Sequence, residues 1–299
     1  MRFFRLEKKA DMGYYFCIRL TKTRRRIVKR KVMRTDYPVK KIAENTYMIS
    51  DFGFANCYLL VGEQKALLID CGVGIGDLKG AAEKITDKPL VVVGTHGHVD
   101  HIGGDGQFDE IYLHKDDTGR NYKFQTGYVL RKLFVLAGKG VADKSVKVSD
   151  VTKYKNRPKV VAIEDGHVFD LGGRQVRVRH LTGHTLGSIL LIDKQSGIVF
   201  VGDNMSPSLW LFLPHASTVE EWLDSAREIY RLSEKYTLYW GHEQGVISPS
   251  LVARNIALAE EILAKYKRNR HCFAVKFYPC NDRVNGSIVF RKARIFKKK

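Results

Sequence analysis

Residues 95–104 read THGHVDHIGG, and the interpretation of the whole chain begins from this stretch. It places three of the chain's ten histidines and one aspartate within six positions, as His96, His98, Asp100 and His101. The stretch follows PLVVVG, a short β-branched run typical of a strand buried on both faces. The four side chains therefore stand at the carboxyl end of a buried strand, where open α/β sheets place their functional sites.

The residue types at these four positions are those that bind metal ions. Neutral imidazole is the commonest metal ligand in proteins, and carboxylate is the usual ligand for harder divalent ions. Alternate residues of an extended loop point the same way, so His96 and His98 can share one ion. Asp100 and His101 then point to a second position nearby. The two glycines that follow allow the backbone to turn tightly.

Three further ligand-type residues follow later predicted strands. His184 lies in LTGHTLGS between two strands, Asp203 ends the apolar run GIVFVGD, and His242 ends LYWGH. An isolated histidine is usually structural, but seven ligand-type side chains that each follow a strand predict one metal site at the edge of the sheets. Asp70 ends the strand KALLID in the same way.

Taken in order, THGHVDHIGG, GHT, GD and GH resemble the motifs of the metallo-β-lactamase fold superfamily of metallohydrolases, over residues of about 40 to 265. The resemblance implies an α/β fold, a four-layer αββα sandwich, with a dinuclear metal centre between its two sheets. It implies that Asp70 lies beneath that centre and orients a ligand. It also implies two groups of three ligands and one bridging aspartate: His96, His98 and His184; Asp100, His101 and His242; and Asp203.

The chemistry of such a centre agrees with hydrolysis. Two divalent ions about 3.5–4 Å apart can share a hydroxide and polarise the attacked oxygen, so no protein base is needed for attack. Asp100 and Asp203 are the candidate catalytic residues, because their carboxylates can orient the nucleophile. An all-His/Asp ligand set accepts zinc, iron or manganese, and zinc is the first choice because no ligand here demands redox chemistry.

The chain is predicted to have one hydrolase domain between two basic ends. The domain spans residues 37–270, with a helical insertion or lid near 118–158, and residues 1–36 and 271–299 are extensions. Residues 1–34 hold thirteen Lys and Arg against two acidic residues, and the last ten residues hold six against none. Such ends can bind nucleic acid or an anionic membrane, or they can simply be solvated. The sequence from Met33 onward opens like a domain, so the sequence leaves the natural start open.

Local signals predict particular elements near the C-terminal end. Thr218 and Glu221 fit a capping box at the start of one helix. Ser248 is the expected cap of the next helix, with Pro249 in its first turn. The buried stripe of that helix is predicted as Val252, Ile256, Ala259 and Leu263. The tail is predicted to form a hairpin about Asn285 and Gly286.

The composition of the chain indicates where in the cell the protein is expected. No uncharged apolar run reaches about 18 residues, so no membrane-spanning helix is expected. No apolar signal core follows the basic N-terminus, which favours a cytoplasmic protein. The five cysteines are odd in number and lack CxxC spacing, which argues against a disulfide framework.

The sequence indicates the substrate less clearly than it indicates the type of reaction. Phe52, Phe54, Trp210 and Phe212 are the candidate pocket residues, and an aromatic mouth suits a small organic molecule. The insertion adds four aromatic residues: Tyr122, Phe124, Tyr128 and Phe134. The favoured function is hydrolysis of a small ester, lactone, thioester or amide. Two alternatives stay open, a phosphodiesterase or nuclease that uses the basic ends, and a non-hydrolytic mononuclear iron protein of the sulfur dioxygenase kind. The oligomeric state also stays open.

Overall fold

The computed structural model describes residues 33–138, 142–266, 275–279, 287–291 and 294–297. The strands are β1 (Val39–Ala43), β2 (Thr46–Ser50), β3 (Asn56–Val61), β4 (Ala66–Ile69), β5 (Leu90–Val93), β6 (Glu110–His114), β7 (Lys159–Ile163), β8 (Val168–Asp170), β9 (Gln175–His180), β10 (Ile189–Asp193), β11 (Ile198–Gly202), β12 (Ser208–Leu211), β13 (Thr237–Trp240), β14 (Val246–Ile247), β15 (Val275–Pro279) and β16 (Ser287–Arg291). The helices are α1 (Leu78–Glu83), α2 (Val99–Ile102), α3 (Arg120–Gln125), α4 (Tyr128–Ala137), α5 (Val219–Ser233) and α6 (Pro249–Lys265).

A seven-stranded sheet and a six-stranded sheet form the two central layers. The first has the order β1-β2-β3-β4-β5-β6-β7, antiparallel as far as β4 and parallel from β4 to β7. The second has the order β14-β13-β11-β10-β9-β8, in which β11 and β13 are parallel and the other pairs are antiparallel. The parallel β4, β5 and β6 therefore end at the same edge, where the loop 94–98 begins.

The alternation of side chains along β3 shows how the layers pack. Tyr58 and Leu60 lie in a buried cluster with residues of the six-stranded sheet, such as Phe200. Leu59 points the other way, into a cluster that includes Val135 of α4. The outer face of the six-stranded sheet packs against α5 and α6. Helices thus cover both outer faces of two stacked sheets, which confirms the four-layer αββα sandwich.

The helical insertion lies between β6 and β7 and consists of α3, α4 and a 3₁₀ turn at Val148–Asp150. Its aromatic residues divide between core and surface. Tyr122 is buried, and its hydroxyl donates a hydrogen bond to Asp105. Phe134 packs on Phe54, with ring centroids 5.8 Å apart. Phe124 is exposed. The inner side of the insertion is therefore part of the hydrophobic core.

The described part of the C-terminal segment belongs to the domain and not to a free extension. Strand β16 pairs with β15 on one side and runs parallel to β12 on the other, which makes a third, three-stranded sheet. Ile288 and Phe290 are fully buried. The Arg294 guanidinium donates hydrogen bonds to the carbonyl oxygens of Leu213 and Ala216, at 3.0 and 2.9 Å. Alternating apolar residues in SIVFR form this strand despite the basic residues around it.

The antiparallel pairing of β15 and β16 matches the hairpin that the sequence predicts. The expected turn residues, Asn285 and Gly286, lie outside the described residues. Residues 1–32 also lie outside them, so binding of nucleic acid by the basic N-terminal end stays a prediction. No helix among the described residues combines the length and the apolar character needed to cross a membrane.

The N-terminal boundary of the fold lies slightly earlier than the sequence indicates. The carbonyl oxygen of Arg34 accepts a hydrogen bond from the Asp77 amide at 2.8 Å. The Arg34 guanidinium lies over the Phe52 ring, 4.1 Å from its centroid. Residues 33–36, assigned by sequence to the extension, therefore pack on the domain.

The two long helices begin where the sequence predicts. The Glu221 amide donates to Thr218 Oγ1 at 3.1 Å, and Glu221 Oε2 accepts from the Thr218 amide at 2.9 Å, which completes a capping box. Ser248 Oγ accepts from the Leu251 amide at 3.2 Å, with Pro249 at the first position of α6. The buried stripe of α6 differs from the expectation, because Ile256 and Leu263 are only partly buried. Its fully buried residues are Val252, Asn255, Leu258, Ala259 and Ile262.

Candidate metal centre

The stretch after β5 folds as a loop that leads into one turn of helix. His96 lies in the loop, and His98 is the N-cap residue of α2. Asp100 and His101 lie within α2 and are buried. Gly104 follows the helix, where a Cβ atom would collide with the carbonyl oxygen of Cys71. This close approach explains why the motif ends in glycine, and it fixes α2 against the segment that follows Asp70.

The later ligand-type residues come from three other strand ends of the second sheet. His184 lies in the loop between β9 and β10, Asp203 follows β11, and His242 follows β13. Since β11 and β13 are parallel neighbours, Asp203 and His242 emerge side by side. His242 Nε2 and Asp203 Oδ2 are 3.0 Å apart.

Short distances join all seven predicted ligands into one cluster. His98 Nδ1 and His184 Nε2 are 2.8 Å apart. Asp203 Oδ2 lies 3.8 Å from His184 Nε2 and 3.5 Å from His101 Nε2. The ligand atoms form three overlapping groups of three, each spanning at most 4.8 Å: His96, His98 and His184; His96, His101 and Asp203; and Asp100, His101 and His242. Asp203 lies between the outer two groups, where the resemblance places the bridging ligand.

Three buried atoms of this cluster point to a cation. Among the described residues, His96 Nε2, His101 Nε2 and Asp203 Oδ1 are buried without a hydrogen-bond partner. Orphaned buried polar atoms are rare because each costs about 1–3 kcal/mol when left unsatisfied. Three of them in one cluster are explained together if they ligate a metal. The donor set of imidazole and carboxylate fits a divalent transition-metal ion.

The hydrogen bonds beneath the cluster hold two rings in the orientation that ligation requires. Asp70 Oδ2 accepts from His101 Nδ1 at 2.8 Å, which leaves His101 Nε2 toward the cluster. The Thr95 hydroxyl donates to the same carboxylate oxygen at 2.9 Å, and His96 Nδ1 lies 3.1 Å from that hydroxyl. Asp70 lies beneath the cluster and reaches His101 directly and His96 through Thr95.

The ligand-type side chains of the cluster differ in their protonation state. Burial lowers the pKa of His96, His98 and His184, so these imidazoles are neutral at pH 7 and offer lone pairs. Burial opposes ionisation of Asp203, but the adjacent His242 and His101 outweigh it and lower the pKa of Asp203 well below its ordinary value. Burial lowers the pKa of His101 and His242, but the nearby carboxylates of Asp203 and Asp100 outweigh this effect and raise the pKa of both histidines. A divalent cation bound here would therefore displace protons.

The sequence of the domain is similar to the sequences of known proteins. A model of the metallo-beta-lactamase superfamily matches residues 50–242. The chain belongs to the metallo-β-lactamase superfamily. Acyl-coenzyme A thioesterase MBLAC2 is 30% identical in both Bos taurus and Homo sapiens, over 199 residues that span 60% of this chain and 69% of the relative. The lactamase-like protein ptaB of Pestalotiopsis fici is 24% identical, over 72% of this chain and 57% of its own length.

Solved structures show the same fold at low identity. A metallo-beta-lactamase family protein from Thermus thermophilus superposes with a TM-score of 0.53 and 20% identity, covering 76% of this chain and 84% of that one. The sec-alkylsulfatase Pisa1 from Pseudomonas sp. superposes with a TM-score of 0.55 and 14% identity, covering 77% of this chain and 43% of that one. These structures show the fold, whereas the family model and the thioesterase relatives show that this member of the superfamily is an enzyme of the metallohydrolase class.

The four aromatic residues predicted to line the pocket have two different environments. Phe52 and Phe54 are 3% and 5% exposed and belong to the core cluster beneath the seven-stranded sheet. Trp210 is 47% exposed, and its ring lies 5.4 Å from that of the half-buried Phe212. The carbonyl oxygen of Trp210 accepts a hydrogen bond from His184 Nδ1 at 2.9 Å. Trp210 and Phe212 are thus the pair with surface available beside the cluster, and their role in substrate binding stays a prediction.

His180 belongs to a separate group, as its lack of a motif counterpart suggests. Its ring stacks on His114, with centroids 3.8 Å apart and planes 12° apart. His114, Asp116 and His180 have ligand atoms within 4.8 Å of one another. Nearly parallel imidazole planes cannot both aim a lone pair at one ion. His180 Nε2 donates instead to the carbonyl oxygen of Leu186 at 2.8 Å, which favours a structural role.

Two polar residues at this site, Asn204 and Asp117, were not predicted from the sequence. The side chain of Asn204 accepts a hydrogen bond from the His184 amide at 3.0 Å and donates to the Leu181 carbonyl at 2.6 Å. Asp117 ends the 3₁₀ turn that follows β6 and is fully buried. Asn204 could have been found from the sequence, because it directly follows the predicted ligand Asp203. Asp117 is one of two consecutive aspartates, and nothing in the local pattern distinguishes the buried one.

Proposed function

We propose that this protein hydrolyses acyl-coenzyme A thioesters and that two divalent metal ions act in the reaction. The observation that carries the proposal is the 30% identity with curated proteins named acyl-coenzyme A thioesterase, together with a cluster of seven ligand-type side chains. The reaction breaks the C–S bond, joins the acyl carbon to a water oxygen and releases a free thiol.

The chain's own residues have distinct tasks in this proposal. His96, His98 and His184 would hold one ion, and Asp100, His101 and His242 would hold the other. Asp203, placed between the two groups, could contact either ion. Ions bound there would supply a water of lowered pKa and an electrophile for the carbonyl oxygen. Zinc is the first choice, with iron and manganese as alternatives.

The two carboxylates in the cluster are the proposed catalytic residues beside the ions. Asp100 Oδ2 lies 3.6 Å from His242 Nε2, and Asp203 Oδ2 lies 3.0 Å from the same atom. Asp203 is ionised, because its pKa is held well below the ordinary value by the neighbouring histidines despite its burial. In this proposal the carboxylates of Asp100 and Asp203 would accept hydrogen bonds from a water in the cluster and orient its lone pair toward the acyl carbon.

The apolar surface beside His184 suits an acyl group. Trp210 is linked to His184 through its carbonyl oxygen, and Leu186 lies two residues after His184. Trp210 and Leu186 are 47% and 42% exposed, so their side chains offer apolar surface to a substrate. An acyl chain that covers them is stabilised by removal of apolar area from water.

The test is a substrate panel on the purified full chain. Acyl-coenzyme A, acyl-glutathione, a lactone, an ester and a phosphodiester are compared. Thiol release from the two thioesters is followed with a thiol-reactive chromophore, and acid release from the lactone, the ester and the phosphodiester is followed with a pH indicator. The expected result is the highest kcat/KM for acyl-coenzyme A, and its loss in Asp203→Ala excludes a contaminating thioesterase. Faster cleavage of the phosphodiester or the lactone would overturn the thioester proposal and leave the metallohydrolase assignment in place.

Metal analysis of the same preparation tests the number and identity of the ions. Two zinc ions per chain are expected. One iron ion per chain would contradict the dinuclear proposal and support the non-hydrolytic alternative. A cytoplasmic location belongs to the same proposal, and fractionation of cells that express the protein tests it.

A further inference from the structure

Asp117 joins the two loops that carry one predicted ligand group. Its Oδ2 accepts hydrogen bonds from the Gly97 amide at 2.8 Å and from the Thr185 hydroxyl at 2.6 Å. Its Oδ1 accepts from the Gly187 amide at 3.3 Å. Gly97 lies between His96 and His98, whereas Thr185 and Gly187 follow His184 in the chain. One carboxylate therefore contacts both loops at points one to three residues from the ligands.

The backbones of both loops approach Asp117 so closely that a side chain at either glycine would crowd it. A Cβ atom at Gly97 would lie 3.1 Å from Asp117 Cβ, and a Cβ atom at Gly187 would lie 2.6 Å from Asp117 Cγ. Neither glycine adopts a positive φ. Their role is therefore close approach and not backbone conformation. The carboxylate and the two glycines together set the distance between the loops.

Asp117 is itself held by a rigid part of the fold. It ends the 3₁₀ turn Lys115–Asp117, which follows β6 directly. The turn is closed by the Thr118 hydroxyl, which donates to the Lys115 carbonyl at 2.8 Å. Strand β6 is paired on both sides, by β5 and β7. A side chain on such a support can hold flexible loops in place.

The second ligand group has separate support. The Cys71 amide donates to the carbonyl oxygen of His101 at 2.7 Å, which anchors α2 to the segment after β4. Asp70 orients the His101 ring. The hydrogen bonds of Asp117 involve neither α2 nor the loop that carries His242. A change at Asp117 is therefore expected to act on one group and to spare the other.

We propose that Asp117 is a positioning residue that sets the geometry of the metal site formed by His96, His98 and His184. The inference rests on the metal centre of the proposed function. Asp117 belongs to none of the ligand groups and acts by keeping the two loops at the spacing that ligation requires. Removing groups that orient metal ligands typically changes metal affinity by about 10- to 100-fold.

The experiment is metal titration of the full chain after removal of bound metal with a chelator. Zinc affinity is measured against a chromophoric competitor, and cobalt binding is followed by its visible absorption, which reports ligand geometry. In Asp117→Ala, one of two equivalents should bind about 10- to 100-fold more weakly, with an altered cobalt spectrum, while the other is unchanged. The matched control is Asp116→Asn, at the neighbouring half-exposed carboxylate, which should bind both metals as the unchanged chain does.

A milder variant covers the case in which Asp117→Ala fails to fold. Thr185→Val keeps the side-chain volume and removes one donor to Asp117, so a smaller loss at the same equivalent is expected. A folded Asp117→Ala or Thr185→Val chain that binds both equivalents normally would overturn the inference. Equal weakening of both equivalents would overturn it too, because the role would then be general. If the unchanged chain binds no metal, the proposed centre itself is wrong and the inference falls with it.

Discussion

Replacing Arg131 with methionine should destabilise the protein by about 3–5 kcal/mol, the range seen when a buried charge network is broken. Arg131 is 1% exposed and lies on α4 of the insertion. Its Nε donates to the Val73 carbonyl at 2.7 Å, and its Nη2 donates to the carbonyl oxygens of Gly74 and Thr152 at 3.0 and 2.9 Å. The guanidinium also lies over the Tyr154 ring, 4.6 Å from its centroid. These contacts attach the insertion to the segment that follows Asp70.

The expected loss of stability follows from the groups that lose a hydrogen-bond donor when methionine replaces Arg131. Methionine preserves the aliphatic packing of Arg131 but leaves the buried Val73 carbonyl and the half-buried Thr152 carbonyl without that donor, at up to about 1–3 kcal/mol each before any relaxation. The Gly74 carbonyl still accepts a hydrogen bond from the Thr152 amide at 3.0 Å. It also removes a positive charge that lowers the pKa values of Asp51 and Asp105, which burial already raises to about 7 and about 6. Partial entry of water offsets some of the loss, so the expected total lies well below the sum of the maximal values.

The assay is urea unfolding of the metal-free chain, so that metal binding does not add to the measured stability. Lys132→Met is the matched control, because the ammonium of this neighbouring residue makes a ring contact with Tyr128 at 5.2 Å and its loss should cost about 0.5 kcal/mol or less. A difference of less than about 1 kcal/mol between the two variants would refute the reasoning, because it would mean that the carbonyl oxygens of Val73 and Thr152 find other partners.

Three further changes test the site and its surroundings. Asp203→Ala should abolish thioester hydrolysis and lower the bound metal, measured by turnover and metal analysis, whereas His180→Ala should preserve both; equal behaviour would contradict the ligand assignment. Trp210→Ala should raise KM for long-chain acyl thioesters by about tenfold and leave short-chain substrates nearly unchanged, because apolar burial scales with area; a uniform effect would exclude an acyl contact. Burial, with His180 beside it, lowers the pKa of His114 from 6.5 to about 4, so the folded state loses stability as the pH falls from 6.5 through 4. His114→Asn should flatten that decline in thermal unfolding scans, and an unchanged slope would contradict it.

Several parts of this protein follow from local sequence. Thr218 with Glu221, and Ser248 with Pro249, mark helix starts because capping depends on residues within one turn. The ligand-type residues could be found because each follows an apolar strand, and strand ends share an edge of the sheet. The position of the helical insertion follows from the interruption of the strand pattern. The similarity of these motifs to one superfamily then implied the layered fold.

Other parts depend on contacts that no local pattern records. The sequence alone left residues 271–299 as a basic extension, yet β16 pairs with β12 some eighty positions earlier in the chain. Asp117 bonds to Thr185, 68 residues away. Phe52 is buried in the core, although the sequence made it a candidate pocket residue. Periodicity tells which face of an element is apolar but not what packs against it, as the shifted stripe of α6 shows.

The sequence by itself determined the chemistry available to this protein: which side chains can hold a metal, and at the end of which strand each one stands. The tertiary structure alone decided their spacing, the tautomers that Asp70 and Thr95 impose, and the joining of two ligand loops by Asp117. The physical reason is that residue type and local periodicity are properties of neighbours in the chain. Distances between loops are set by the packing of two sheets that meet only when the whole chain has folded.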